Sequence, residues 1–279
     1  MPATLQRLVV LRERGARPPL VCVHPIGGHV NEYEGLTALL GDDQPVYAIR
    51  SRACLAPETE HATVAEMADE YAEIVQSVAG DAPVILFGWS FGALVAHAVA
   101  CRREESAGRV RAVGMADPLL ADSARPADDD PLLAIAMALR IFQTTPVPGH
   151  VLRRELRALR PDGLDAAALV KWCESRGLLP TGAVAPEAFD GAIRLFPVHR
   201  RLVRTHRPGV CRAPLVLWRG DPRYHRDGYE WSTHTHGAFR HEDVGGTHFT
   251  MMSPPHVDAI AADLREVAIE RDGVGGSPP

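Results

Sequence analysis

VILFGWSFG, at residues 84–92, is the stretch of this sequence on which the interpretation of the fold depends. An apolar run leads into Gly88-Trp89-Ser90-Phe91-Gly92, and an Ala-rich segment that ends at Glu105 follows. The stretch therefore predicts a strand, a sharp turn at Ser90 and a helix. A glycine two residues on either side of the serine keeps side chains from colliding in so tight a bend. We interpret Ser90 as an exposed nucleophile at the N-terminus of a helix, where developing negative charge is stabilised.

Strands and helices alternate along most of the chain, which predicts a mostly parallel sheet covered by helices on both faces. Branched and apolar residues predict strands at residues 20–24, 46–49, 84–88, 110–115, 215–218 and 239–244. Helical periodicity or composition predicts helices at residues 63–79, 91–105 and 254–268. The fold class that combines this order with a serine at a strand–helix turn is the α/β-hydrolase fold.

The alternation stops between about residues 118 and 213, where no segment has a convincing strand pattern. Helical patterns lie instead at residues 132–142, 151–159, 166–175 and 187–205, with prolines between them. A helical block between two strands of a sheet is typical of a lid over a site. We therefore expect residues 1–279 to be a single α/β domain with a helical lid insertion, and the Gly- and Pro-rich tail at 273–279 to be disordered.

The composition argues against several classes of protein. The 279 residues are 46% hydrophobic, enough for a full core, and the net charge is −5. This mildly acidic balance, with arginines that do not gather into one patch, gives no indication of nucleic-acid binding. No apolar run is long enough to span a membrane, and no secretion signal is visible at the N-terminus. The five cysteines lack metal-ligand spacing, so free thiols in a reducing cytoplasm are expected.

Chemistry at Ser90 requires two backbone amides that face the oxygen of the attacked carbonyl group, an oxyanion hole. The first amide is predicted to be that of Phe91, and the second to come from the loop after an early strand. VCVHPIGG, at residues 21–28, supplies that strand and loop, and the Ile26 amide is the candidate donor. Gly27 in the loop and Trp89 beside the serine are candidate contacts for the substrate.

A serine hydroxyl is a weak nucleophile unless a general base takes its proton. The chain has thirteen histidines. His248, in a glycine-rich loop between the last predicted strand and the C-terminal helix, occupies the place of the base in this fold. His24, His97 and His241 are expected in the core, on a helix surface and on a strand. The His-Thr-His run at 234–236 has no third ligand spaced with it, so we expect a solvated loop and no metal.

Two aspartates compete for the role of the acid that orients the His248 ring. Asp117 ends the strand after the predicted nucleophile helix, and Asp221 ends the strand after the helical block. Both lie between Ser90 and His248, so the chain order does not separate them, and both are also typical Asp-Pro turn residues. Spacing alone slightly favours Asp221, because the later strand end is the commoner position in hydrolases.

Several short motifs, taken together, carry a resemblance to a known family. They are LVVLR at 8–12, HPIGG at 24–28, VYAI at 46–49, GWSFGALVA at 88–96 and GTHF at 246–249. With them the chain resembles the thioesterase domains of non-ribosomal peptide synthetases and polyketide synthases, in the α/β-hydrolase superfamily. The resemblance extends over residues 8–268 with a divergent lid, and departs from the family pattern at Ala93, where members often have glycine.

The resemblance implies both a substrate and an acid. The family's acid follows the strand after the nucleophile helix, a position that Asp117 matches. The implied substrate is an acyl or peptidyl chain held as a thioester on the phosphopantetheine of a carrier protein, and the domain itself is expected to bind no cofactor. The chain would pass to Ser90 and leave by hydrolysis or cyclisation.

Other interpretations of the sequence remain open. The chain could be an excised terminal domain or a stand-alone editing thioesterase. It could also be an esterase or acyltransferase that acts on a free small molecule, or a ligand-binding protein with an inactive site. Chain order and motifs do not choose between hydrolysis and cyclisation, and they do not name the acyl chain.

Overall fold

The computed structural model describes residues 6–56, 59–119, 131–142, 147–159, 165–220 and 230–269. Two expectations fall outside these residues: the role of Asp221 as the acid, and disorder in the tail at 273–279.

A seven-stranded sheet forms the centre of the described structure. Its strands are β1 (Leu8–Arg12), β2 (Leu20–Val23), β3 (Val46–Ile49), β4 (Val84–Trp89), β5 (Val110–Ala116), β6 (Leu215–Arg219) and β7 (Phe239–Asp243). The order is β1-β3-β2-β4-β5-β6-β7, and β1 pairs antiparallel with β3 while the other pairs are parallel. This confirms the predicted α/β-hydrolase fold. β1, an edge strand with partly exposed residues, is an addition to the six predicted strands.

The described residues form eight α-helices. They are α1 (Tyr33–Leu39), α2 (Val64–Ala79), α3 (Phe91–Glu105), α4 (Pro131–Phe142), α5 (Gly149–Ala158), α6 (Ala166–Ser175), α7 (Pro186–Thr205) and α8 (His256–Ile269). All except α1 match predicted helices to within two residues at each end. α1 is only seven residues long and has no side-chain hydrogen bond at its N-cap, so its sequence signal is weak. None of the described helices is long and apolar enough to cross a membrane.

β4 and α3 form a deeply buried strand–helix pair. Every residue of β4 is buried, as expected of a strand covered on both faces. α3 is buried continuously from Phe91 to Ala100 and packs against α2, β2 and β5. A helix segment that is covered all round has no solvent face, and in α3 this holds for residues 91–100 but not for the charged last turn. The bend between β4 and α3 is therefore held from several sides.

α4, α5, α6 and α7 lie between β5 and β6 in the chain, where the helical insertion is predicted. They have an apolar cluster of their own, whose fully buried members include Leu139, Cys173 and Phe189. α7 also contacts α3 and the 3₁₀ turn Arg52–Cys54. The insertion limits at 118 and 213, and the role of these helices as a lid, stay predictions.

Candidate active site

Ser90 occupies the bend between β4 and α3, with a backbone conformation that residues other than glycine rarely adopt. Its φ is 59° and its ψ is −122°. The Ser90 amide donates a hydrogen bond of 2.8 Å to the carbonyl of Ala116, which anchors the bend to β5. Phe91 is the first residue of α3, so its amide has no acceptor within the helix. The bend therefore joins a strained serine to the N-terminus of a buried helix.

Close backbone contacts require glycine on both sides of Ser90. A Cβ atom at Gly88 would lie 2.2 Å from the carbonyl carbon and oxygen of Gly92. A Cβ atom at Gly92 would lie 2.3 Å from the carbonyl oxygen of Val23. Both distances are far shorter than van der Waals contact, so only glycine lets β2, β4 and α3 approach each other this closely.

We expect Gly92→Ala to lower the free energy of unfolding by about 3 kcal/mol or more, because the new methyl group would displace backbone rather than a side chain. Gly191→Ala in α7 is the matched control, since a Cβ atom there meets nothing within 4 Å. Replacing a glycine inside a helix should raise stability by about 0.5–1 kcal/mol. Chemical denaturation measures both values. A Gly92→Ala variant as stable as the unchanged protein would contradict this packing.

The structure brings Ser90, His248 and Asp117 together, although they are far apart in the sequence. His248 Nε2 lies 3.0 Å from Ser90 Oγ, and His248 Nδ1 lies 3.3 Å from Asp117 Oδ2. Ser90 and Asp117 are buried, with 3% and 2% of their surface exposed, so the prediction of an exposed serine is wrong. A neutral ring placed in this way carries its proton on Nδ1, toward the carboxylate, and offers Nε2 to the hydroxyl. Such an arrangement can draw a proton from the serine.

Asp117 directly follows β5 and is held on two sides. Its φ is 42°, its amide donates to the carbonyl of Trp218 at 2.9 Å, and its Oδ1 accepts from the Gly220 amide at 3.0 Å. β4, β5 and β6 are neighbours and parallel, so their carboxyl ends meet at one edge of the sheet. The structure therefore places Asp117, the acid selected by the family resemblance, against His248.

Trp89 contacts His248 in two ways that the sequence does not indicate. Its Nε1–H donates to the backbone carbonyl of His248 at 3.0 Å, and the two rings lie 5.4 Å apart. The Trp89 amide in turn donates to the Tyr33 hydroxyl at 3.2 Å, and that hydroxyl donates to the Val23 carbonyl. Trp89 is only 5% exposed, so it supports the His248 loop from within the core. Substrate contact by Trp89 stays a prediction.

The loop after β2 lies against the first turn of α3. A Cβ atom at Gly92 would lie 2.3 Å from the carbonyl oxygen of Val23 and 2.7 Å from that of His24. Ile26 is buried, and the Gly28 amide donates to the Pro25 carbonyl at 2.9 Å, which closes a turn. The predicted donor loop and the Phe91 amide are therefore adjacent. Gly28, with φ 83°, is the member of the glycine pair that needs its conformational freedom.

Two histidines that do not contact Ser90 can be compared with their predicted positions. His24 is buried in the core, as predicted. The prediction for His97 is wrong: it is fully buried, because residues 91–100 of α3 are all covered, and its Nε2 lies 2.9 Å from the His234 carbonyl oxygen. Within the described ranges, no group of histidine, cysteine, aspartate and glutamate residues could hold a metal ion.

Comparison with known proteins identifies the family of the chain. A family model described as Thioesterase domain matches residues 18–267. The dimodular nonribosomal peptide synthase of Bacillus subtilis (strain 168) is 30% identical over 209 residues, which cover 70% of this chain and 9% of that protein. The nonribosomal peptide synthetase atrA of Aspergillus terreus (strain NIH 2624 / FGSC A1156) is 25% identical over 296 residues, which cover 98% of this chain and 31% of that protein. The chain thus spans well under half the length of these relatives.

Solved structures share the fold. A four-domain nonribosomal peptide synthetase, holo-AB3403 bound to AMP and glycine, superposes with a TM-score of 0.78 and 21% identity over 95% of this chain and 20% of that one. The NocB thioesterase domain in covalent complex with a fluorophosphonate nocardicin G analog superposes with a TM-score of 0.67. The sequence identity is 21%, over 94% of this chain and 99% of that one. The type II thioesterase BorB superposes with a TM-score of 0.68 and 20% identity over 94% of this chain and 97% of that one. Because the family model covers most of its length, the chain belongs to the thioesterase-domain family, and so to the hydrolases that act on thioesters.

Proposed function

We propose that this chain releases an acyl or peptidyl group from the phosphopantetheine thioester of a carrier protein, through an acyl-enzyme on Ser90. The observation that carries the proposal is the contact of His248 with both Ser90 and Asp117 in a chain of the thioesterase-domain family. Its relatives include nonribosomal peptide synthetases, so the natural setting is the biosynthesis of a non-ribosomal peptide or a hybrid polyketide.

In the first step His248 takes the proton of Ser90 as the serine oxygen attacks the thioester carbonyl. The separation of 3.0 Å between His248 Nε2 and Ser90 Oγ supports direct transfer. Asp117 keeps the proton of the neutral ring on Nδ1 and stabilises the imidazolium that forms. The Gly220 amide, bonded to the other carboxylate oxygen, supports the orientation of Asp117.

The amides of Phe91 and Ile26 stabilise the negative oxygen of the tetrahedral intermediate, and each such donor contributes a factor on the order of 10² to 10³ in rate. When the intermediate collapses, the carbon–sulfur bond breaks and His248 returns its proton to the departing pantetheine sulfur. A water molecule then attacks the acyl-enzyme to give an acid, or an amine or hydroxyl of the acyl group attacks to give a ring. His248 accepts the proton of either nucleophile and passes it to Ser90 Oγ as the ester bond between the serine and the acyl group breaks. Gly27 and Trp89 are proposed contacts for the acyl group.

A carrier protein is the proposed partner, on the same polypeptide or on a separate one. The relatives are synthetases of which this chain spans only a fraction, which supports a carrier that is part of a larger assembly. The phosphopantetheine belongs to that carrier, and this chain is proposed to contribute no cofactor of its own.

Editing of stalled carriers is the second candidate function. The likeness to the type II thioesterase BorB, which covers 97% of that chain, favours it. The two functions differ in substrate, since an editing enzyme would remove short acyl groups and a releasing enzyme would act on the completed chain.

Carrier proteins loaded with a short acyl group or with a longer peptidyl group test the proposal. Mass spectrometry after rapid quenching should find the acyl group on the peptide that contains Ser90, and the released product should be an acid or a ring. A carrier-bound thioester should turn over faster than the matching free oxoester. An adduct on another residue, or equal turnover of the free oxoester, would contradict the proposal, and a preference for the short acyl group would favour editing.

A further inference from the structure

Two buried histidines, His24 and His199, lie side by side where α7 meets the loop after β2. Their ring centroids are 5.3 Å apart and the ring planes differ by 28°. His24 has 0% of its surface exposed and His199 has 2%. Neither contacts the reacting atoms in the proposed mechanism, which uses Ser90, His248 and Asp117.

Each of these rings makes a hydrogen bond to a backbone carbonyl of the loop after β2. His24 Nδ1 lies 2.8 Å from the Pro25 oxygen, and His199 Nδ1 lies 2.6 Å from the Ile26 oxygen. A carbonyl oxygen only accepts, so both Nδ1 atoms carry a hydrogen and donate it. The two histidines therefore hold successive carbonyls of the chain.

Successive carbonyls define the two peptide planes that flank Ile26. In a trans peptide the carbonyl and the following N–H point in opposite directions. The cis bond of the described chain lies elsewhere, at Pro254-Pro255. The bond from His24 to the Pro25 carbonyl thus sets the direction of the Ile26 amide. The bond from His199 sets the plane on the other side of Ile26, which prevents that residue from rotating.

The same two rings also contact Phe91, whose amide is the other proposed donor of the oxyanion hole. The His199 ring stacks on the Phe91 ring, with centroids 4.5 Å apart and planes inclined by 11°. The His24 ring lies 6.0 Å from the Phe91 ring. One pair of imidazoles therefore touches both sides of the proposed oxyanion hole.

Neutral rings suit this role. Burial, together with the neighbouring His199, lowers the pKa of His24 to about 3. Burial likewise lowers the pKa of His199 to about 4. His24 Nε2 accepts from the Tyr71 hydroxyl, 2.8 Å away, which leaves the hydrogen on Nδ1. Both donors are therefore uncharged and fixed in tautomer near neutral pH.

We propose that His24 and His199 are positioning residues that set the direction of the Ile26 amide in the oxyanion hole. His199 belongs to α7, so the hole is complete only when α7 is packed against the loop. This inference rests on the proposed function and adds to it a link between the helical segment and the reacting centre. A shift of α7 would break the bond to the Ile26 carbonyl and the stacking on Phe91 together.

His199→Leu and His199→Asn form the test pair. Leucine fills the space without a donor, whereas the asparagine amide places an N–H close to the position of Nδ1. We expect His199→Leu to lower kcat on an acyl-N-acetylcysteamine thioester by a factor on the order of 10², the value of one oxyanion donor, with KM nearly unchanged. His199→Asn should retain most of the activity.

A trifluoromethyl ketone that resembles the acyl group gives a second readout, because it forms a tetrahedral adduct with the serine. Its inhibition constant should rise in His199→Leu by the same factor by which kcat falls. Fluorophosphonate titration counts the active sites, so kcat refers to folded enzyme. A residue with a merely structural role would lower the count and the melting temperature, and leave the inhibition constant and kcat per site unchanged. That result, or equal kcat in the two variants, would overturn the inference.

If His199→Leu does not fold, His199→Gln replaces it, since the glutamine amide reaches the position of Nε2 rather than Nδ1. It should show the same loss, and activity equal to that of His199→Asn would overturn the inference. Ser90→Ala separates the two proposals. Full turnover by Ser90→Ala would reject the proposed function, whereas its inactivity beside unimpaired His199 variants would reject the positioning role alone.

Discussion

Ser90→Ala should lower the turnover of an acyl thioester by a factor on the order of 10⁶. This loss is typical of a serine nucleophile that acts together with a histidine and an aspartate. Removing Oγ eliminates the atom that forms the acyl-enzyme and leaves His248 without its hydrogen-bond partner at 3.0 Å. The amides of the oxyanion hole would remain, so a residual acceleration on the order of 10³ over water is expected from them and from binding. Single-turnover kinetics with an acyl-N-acetylcysteamine thioester measures the change.

The alanine side chain fits the same bend, since Ser90 makes no side-chain cap contact with α3. The variant should therefore fold, and fluorophosphonate labelling should disappear along with turnover. Ser77→Ala on α2 is the matched control, because the Ser77 hydroxyl bonds to the Ile74 carbonyl of its own helix. The control should react and be labelled like the unchanged protein. Undiminished turnover by Ser90→Ala would exclude Ser90 as the nucleophile.

Asp117→Asn should lower kcat by a factor on the order of 10⁴ while leaving the fold intact. The amide has the volume of the carboxyl group, but it can turn its NH₂ group toward His248 Nδ1, 3.3 Å away in the native structure. A ring that accepts at Nδ1 carries its proton on Nε2 and no longer accepts the serine proton. The developing imidazolium would also lose its counter-charge. Steady-state kinetics at several pH values measures the loss.

Asp221→Asn is the comparison for this experiment, because spacing in the sequence slightly favours Asp221 over Asp117 as the acid. We expect Asp221→Asn to retain most of the turnover. Thermal melting of both variants shows whether either loss reflects unfolding. A larger loss of kcat in Asp221→Asn than in Asp117→Asn would transfer the role to Asp221.

Local patterns in the sequence determined most of the framework. Apolar runs, helical periodicity and the glycines around Ser90 act over a few residues, so they indicate the strand–turn–helix at 84–105 without knowledge of the rest of the fold. The same reasoning missed β1, whose residues are partly exposed at the sheet edge, and the short α1. It also placed His97 on a helix surface, because the sequence of α3 does not reveal how many elements cover that helix.

Tertiary structure decided the contacts between distant residues that local patterns in the sequence leave open. Spacing leaves Asp117 and Asp221 open, and the contact of Asp117 with His248 depends on the neighbouring positions of β4, β5 and β6 in the sheet. The bonds from Trp89 to the His248 carbonyl and from His199 to the Ile26 carbonyl likewise join residues more than 150 positions apart. Such contacts follow from how whole elements pack, and packing has no period that a short window of sequence could display.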